Sequence, residues 1–172
     1  PVRAGDVYVF HPGVAHGFRD VHRLVLYNFM WGDAWMARFR PALASMAGYH
    51  ALFTVEPGLR RFHRFAARLQ LGSRSLAAVL DRAEAMRREY GARREGYAAA
   101  LEGGFLLLAV ELSRLYTQRP GPAAAQVLRL AHVASHLEAH FREDVRVGGL
   151  SRLAGLSERQ FLRVFQQTYG AP

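Results

Sequence analysis

Residues 146–172 read RVGGLSRLAGLSERQFLRVFQQTYGAP, and the fold is decided here. Gly155 is a natural left-handed stop for a helix ending at Ala154. Ser157 can cap the next helix, and Gln160 three residues on completes an S-x-x-Q capping box. Leu156 and Phe161 then fall at N′ and N4, where a hydrophobic staple sets the angle at which the chain enters the helix. Two helices joined by a tight glycine-containing turn make a helix-turn-helix, whose second helix can lie in a DNA major groove. Phe161, Val164, Phe165, Thr168 and Tyr169 follow the rhythm of a buried stripe. Arg159, Leu162, Arg163 and Gln166 form the opposite stripe. Arg suits bidentate contact with guanine and a leucine suits a thymine methyl, so Arg159, Arg163 and Leu162 are candidates for base contact. Gln166 is the candidate for phosphate, and Gln160 joins the DNA-contacting set at the start of the helix. A helical hairpin with a merely solvated face is the alternative reading of the same residues.

The pattern S-x-x-x-F-x-R-x-F from Ser157 to Phe165, closing on Tyr169, Gly170 and Pro172 after L-x-x-L-A-G-L, resembles the first helix-turn-helix of the AraC/XylS transcription regulators. The likeness covers roughly the last quarter of the chain. Arg146 with Gly148 and Gly149 departs from the polar cap and helix formers usual in the family, and Ser151 stands where the family favours Ala.

Upstream, residues 5–16 carry G-D-x-x-x-F-H-P-G-x-x-H, which resembles the second motif of the cupin β-barrels. In AraC-like regulators such a barrel binds the effector and precedes the DNA reader, the order found here. Residues 7–10 are β-rich, Pro12 and Gly13 suggest a turn, and residues 24–31 (LVLYNFMW) read as a buried strand apolar on both faces. Residues 51–55 are expected as a last strand before Glu56 and Pro57. The expected fold is thus α+β, a partial cupin-like β-barrel followed by an α-helical region and an all-α helix-turn-helix module. The divisions are 1–56 for the barrel remnant, 57–117 for a helical dimerisation region, 118–125 for a linker and 126–172 for the DNA-binding module. Both ends look cut, and the resemblance implies a second helix-turn-helix beyond Pro172.

The helical middle is read from its faces. Leu59, Phe62, Phe65, Ala66 and Leu69 make one. Leu76, Val79, Leu80, Ala83, Met86 and Tyr90 make the next, capped by Ser73 or Ser75 and stopped at Gly91. A third helix runs over about 95–117, with Tyr97, Leu101, Leu108, Leu112 and Leu115 near a heptad seam. Gly103 and Gly104 inside it suggest close approach of another backbone. The resemblance implies that such helices pair two chains; internal packing stays the alternative. QRPGPAAA at 118–125 is the clearest linker, and residues 127–141 form a scaffold helix with Val127, Leu130, Ala134, Leu137 and Phe141 on its face.

Composition bounds the function. The chain of 172 residues is 51% hydrophobic and 22% charged, an ordinary globular balance. It lacks cysteine, which excludes disulfides and thiolate metal sites. No apolar run reaches the length of a membrane span and no leader opens the chain, so no membrane partner and a cytoplasmic location are expected. All 23 basic residues are Arg, giving a net charge of +9. From Gln126 onward, however, six Arg face four acids, so most of the surplus lies outside the helix-turn-helix.

Asn28, as a buried amide, must be hydrogen-bonded, and a polar effector such as a sugar is one partner; a satisfied structural Asn is the other reading. By position in the barrel motif, His16 and Phe18 would face the same pocket. His16 alone cannot hold a metal, which needs three or more protein ligands. His132, His136 and His140 share one helical face without the Glu of an H-E-x-x-H site. No metal or cofactor is expected, and no nucleophile–base pair, phosphate loop or paired carboxylates offers catalysis. The expectation is a DNA-binding transcription regulator, a homodimer on double-stranded DNA that responds to a small polar effector and meets RNA polymerase where it activates. A metal-dependent cupin enzyme with a helical tail, and a helical interaction module without DNA, are the rivals.

Overall fold

The computed structural model describes residues 2–11, 14–57 and 69–170. The turn at Pro12 and Gly13, the helix face at Leu59, Phe62, Phe65 and Ala66, and Pro172 lie outside them. In chain order the elements are β1 (Asp6–Val7), α1 (Asp33–Leu43), α2 (Ala47–His50) with a π-helical turn (Ala51–Val55), β2 (Leu69–Gln70), α3 (Ser73–Ala92), α4 (Tyr97–Thr117), α5 (Pro122–His140), α6 (Val147–Ala154) and α7 (Glu158–Tyr169).

Among the described residues the expected partial barrel is not there. Among the described residues the only sheet is β1 against β2, antiparallel, with Asp6 opposite Gln70 and Val7 opposite Leu69. Leu69 thus belongs to a strand rather than to a helix face. Residues 24–31 form no strand. Phe29 and Trp31 pack on Phe105 of α4, with ring centroids at 6.0 and 4.8 Å, while Val25 and Met30 are 81% and 89% exposed. β-propensity is a preference for a pleated, half-buried surface, and without a neighbouring strand it does not make one. Tyr27 of this stretch donates instead to Glu84 on α3 (3.1 Å). Arg87 binds the same carboxylate at 2.8 and 2.7 Å and, as the chief cause, holds its pKa near 2.

The stretch 51–55, expected as a strand, is helical because it continues α2 and carries its apolar side chains into the core. Ala51, Leu52, Phe53 and Val55 are all buried. They meet Leu108, Leu112 and Tyr116 of α4 and Val127, Leu130 and Ala131 of α5 in one cluster. Leu108 and Leu112 of the expected seam are therefore packed inside this chain. Gly104 faces the Met86 side chain of α3, not another backbone, and Gly103 meets open space. Leu80 and Tyr90, expected on the packed face of α3, are exposed, and that helix starts after Gly72 with no side-chain cap and runs past Gly91 to Ala92.

α2 crosses α4 at close range. A Cβ on Gly48 would stand 1.9 Å from the carbonyl oxygen of Ser113 and 2.6 Å from Oγ1 of Thr117. Beside it the Tyr116 hydroxyl donates to Glu56 at 2.7 Å with both groups buried. Burial first, then the Glu56 carboxylate, pushes that hydroxyl well above the usual tyrosine range, so it stays a donor.

The expected linker shrinks to a few residues. α4 ends at Thr117 and α5 begins at Pro122, where proline suits the first turn and the alanines that follow are strong helix formers. Arg40 of α1 binds Glu138 of α5 through Nε at 2.8 Å, and Ser135 donates to the Ala44 carbonyl at 2.9 Å. Both contacts fix the C-terminal half of α5 to α1 and the turn after it.

Replacing Gly48 by Ala drives a methyl group into rigid backbone, and it should lower unfolding stability by about 3 kcal/mol in denaturant titrations, the upper end for overpacking. His50 supplies a pH test. It is buried, and its Nε2–H donates to the Ala44 carbonyl at 2.8 Å. Burial is the main cause that lowers its pKa below the ordinary 6.5. The unfolded chain then binds more protons than the folded one as pH falls below about 6.5. Stability should be complete above that pH and decline on acidification, and His50→Asn should remove this part of the decline.

Candidate nucleic-acid interface

α5, α6 and α7 build the candidate site. α6 lacks a side-chain cap at Arg146, as its sequence suggests, and gains its place from packing. Leu150 and Ala154 enter a small core with Val133 of α5 and Phe161 of α7, flanked by Leu137, Val145, Leu156 and Phe165. Ser151 is buried where an alanine would be simplest, and its hydroxyl donates to the Gly148 carbonyl at 3.1 Å.

The corner between α6 and α7 follows from local chemistry. Gly155 takes the left-handed conformation at φ 65°, and the N–H groups of Gly155 and Leu156 donate to the carbonyls of Arg152 and Ser151. This is a Schellman stop. Ser157 then caps α7: its Oγ accepts from the Gln160 N–H at 3.4 Å, and Gln160 Oε1 accepts from the Ser157 N–H at 3.3 Å. Both halves of the capping box are present, and Leu156 lies against the small core as the staple requires.

α7 divides as its periodicity predicts. Phe161 is 2% exposed and Thr168 is buried, while Val164, Phe165 and Tyr169 are half-buried. Arg159, Arg163 and Gln166 are exposed, and Leu162 beside them is 43% exposed. Gln160 is exposed, but its carbonyl oxygen is held by the cap. Arg159 and Arg163 have no carboxylate within ion-pair distance among the described residues. Two uncompensated guanidiniums and an amide on a capped helix suit base edges and phosphates alike.

The other candidates fare differently. Asn28 and His16 are exposed and Phe18 is 39% exposed. They lie on irregular backbone, so the burial that singled out Asn28 is not found and no barrel holds the three around a pocket. His16 stacks on Phe10 with centroids 4.0 Å apart and meets the Val14 carbonyl at 2.9 Å. His136 and His140 lie with ring centroids 4.4 Å apart, and His140 Nδ1 pairs with Glu143 at 2.8 Å. Among the described residues no three such groups converge on a metal position. No described helix is long and apolar enough to cross a membrane.

Sequence reasoning missed one contributor. Arg129 of α5 lies on the corner itself, its Cδ 3.4 Å from where a Cβ on Gly155 would stand. No sequence signal marks it, because the contact is made across helices.

Ser157→Ala removes the cap that starts α7, and it should cost roughly 0.5–2 kcal/mol in thermal or denaturant unfolding. Gln160→Ala should weaken the same cap, and the double variant should lose less than the two single losses combined.

No family model, curated protein or solved structure matches this chain, so the site is read from its own geometry.

Proposed function

We propose that the chain reads double-stranded DNA with α7 as part of a sequence-specific transcription regulator of the AraC/XylS kind. The observation that carries this reading is the capped corner at Gly155 and Ser157, which turns the exposed face of Arg159, Leu162, Arg163 and Gln166 away from the small core. A helix so held has few ways to swing, and recognition by bidentate side chains depends on that rigidity. Arg159 and Arg163 take base edges, Leu162 a thymine methyl, and Gln166 a phosphate. Gln160 contributes through its free amide N–H groups while its oxygen serves the cap. A homodimer on a two-fold symmetric site, a small polar effector and contact with RNA polymerase in activation belong to the same proposal.

A duplex site enriched from a random pool provides the test. Arg163→Ala should cost ~1–3 kcal/mol on that site and relax the preference at one base pair. Gln166→Ala should weaken selected and scrambled duplexes about equally, because phosphate contacts position without reading sequence. If both variants shift both duplexes alike, the reading face of α7 is wrongly assigned. If the pool yields no bound duplex, the regulator reading falls.

A further inference from the structure

Residues 126–170 contain six Arg and four acids, a surplus that understates their field. Three of the four acids have partners, one of them outside the module. Glu138 is taken by Arg40 of α1, Glu143 by His140 at 2.8 Å, and Asp144 by Arg146 at 3.2 Å. The fourth, Glu158, folds back over α6, where its Oε1 lies 2.9 Å from the position a Cβ on Gly148 would take. Among the arginines, Arg142 lies over the Phe141 ring, its Cζ 5.2 Å from the centroid. Arg129, Arg152, Arg159 and Arg163 remain, all exposed and without an ion pair among the described residues. The four come from three different helices.

Arg129 is the member that lies against the corner between α6 and α7. Its Cδ and Nε stand 3.4 and 3.6 Å from the point a Gly155 Cβ would occupy, so its stem lies along the corner from which α7 departs. A Cβ at position 155 would meet that stem at ordinary contact distance, and it is the φ of 65° there that favours glycine. An arginine laid against backbone at the start of a groove-reading helix, with no acid to neutralise it, presents a planar fork suited to the two anionic oxygens of a phosphodiester. We propose that Arg129 binds a backbone phosphate of the duplex beside this corner, a contact made from the scaffold helix rather than from the helix-turn-helix pair. The proposal rests on α7 as the reading helix. It gives the module a phosphate contact whose loss affects every sequence alike.

The test is fluorescence anisotropy of the 172-residue protein on two labelled duplexes, one enriched for binding and one of mixed sequence, over a series of KCl concentrations. Arg129→Gln should weaken both duplexes equally and make the log–log salt slope shallower by about 0.9, the share of one phosphate. Arg129→Lys should keep the slope, since it keeps the charge. Thermal melts of both variants should match the parent, because the side chain is exposed. An unchanged slope in Arg129→Gln, while Arg163→Ala still loses sequence preference, overturns the phosphate role and leaves the α7 reading standing. A slope that Arg129→Lys fails to keep also overturns it, since the role then belongs to packing. Absence of binding by the parent protein to either duplex overturns both.

Discussion

One helix belongs to two cores, and the candidate interface depends on it. Val127, Leu130 and Ala131 of α5 are buried with the π-helical turn and α4, while Val133 a few residues on is buried with Leu150, Ala154 and Phe161. The pair that would meet DNA is thus packed onto the scaffold that carries the rest of the chain. Arg40–Glu138 and Ser135–Ala44 reinforce the join from α1 and the turn after it. The half-buried Val164 and Tyr169 of α7 also pack on the larger cluster, so α7 touches both cores.

The helix-turn-helix was legible in the sequence because its determinants are local. A glycine that must take a positive φ, a serine cap and its glutamine partner sit within six residues, and each acts on backbone groups close by. The N-terminal region was not legible, for the opposite reason. LVLYNFMW has strand composition, yet a strand needs a partner, and β1 and β2 pair with each other. Residues 51–55 were misread because a short apolar run fits a buried helix as well as a buried strand. Pro122 starts a helix rather than ending one, so α5 reaches into the proline-rich stretch. Gly48 carries no signal at all until α4 lies across it.

Charge shows the same division. A count of Arg against Asp and Glu gives the last quarter a small surplus, but a count cannot say which acids are occupied. Glu138 faces α1 and Glu143 faces His140, which leaves the arginines near the corner uncompensated. The field at an interface depends on where the pairs close, and that is a tertiary property. Of the candidate site, the exposed face of α7 could be drawn from periodicity alone, while the place of Arg129 needed the fold.

The proposed contact of α7 with duplex DNA runs through the face opposite Phe161. An amide NMR titration of the protein with a duplex enriched for binding tests it most directly. The account predicts that the largest shifts fall on Arg159, Leu162, Arg163 and Gln166 and on the corner at Gly155, with Leu108 and Leu112 of the main core unmoved. Shifts centred on α3, or on residues 24–31, with α7 unaffected, would contradict it.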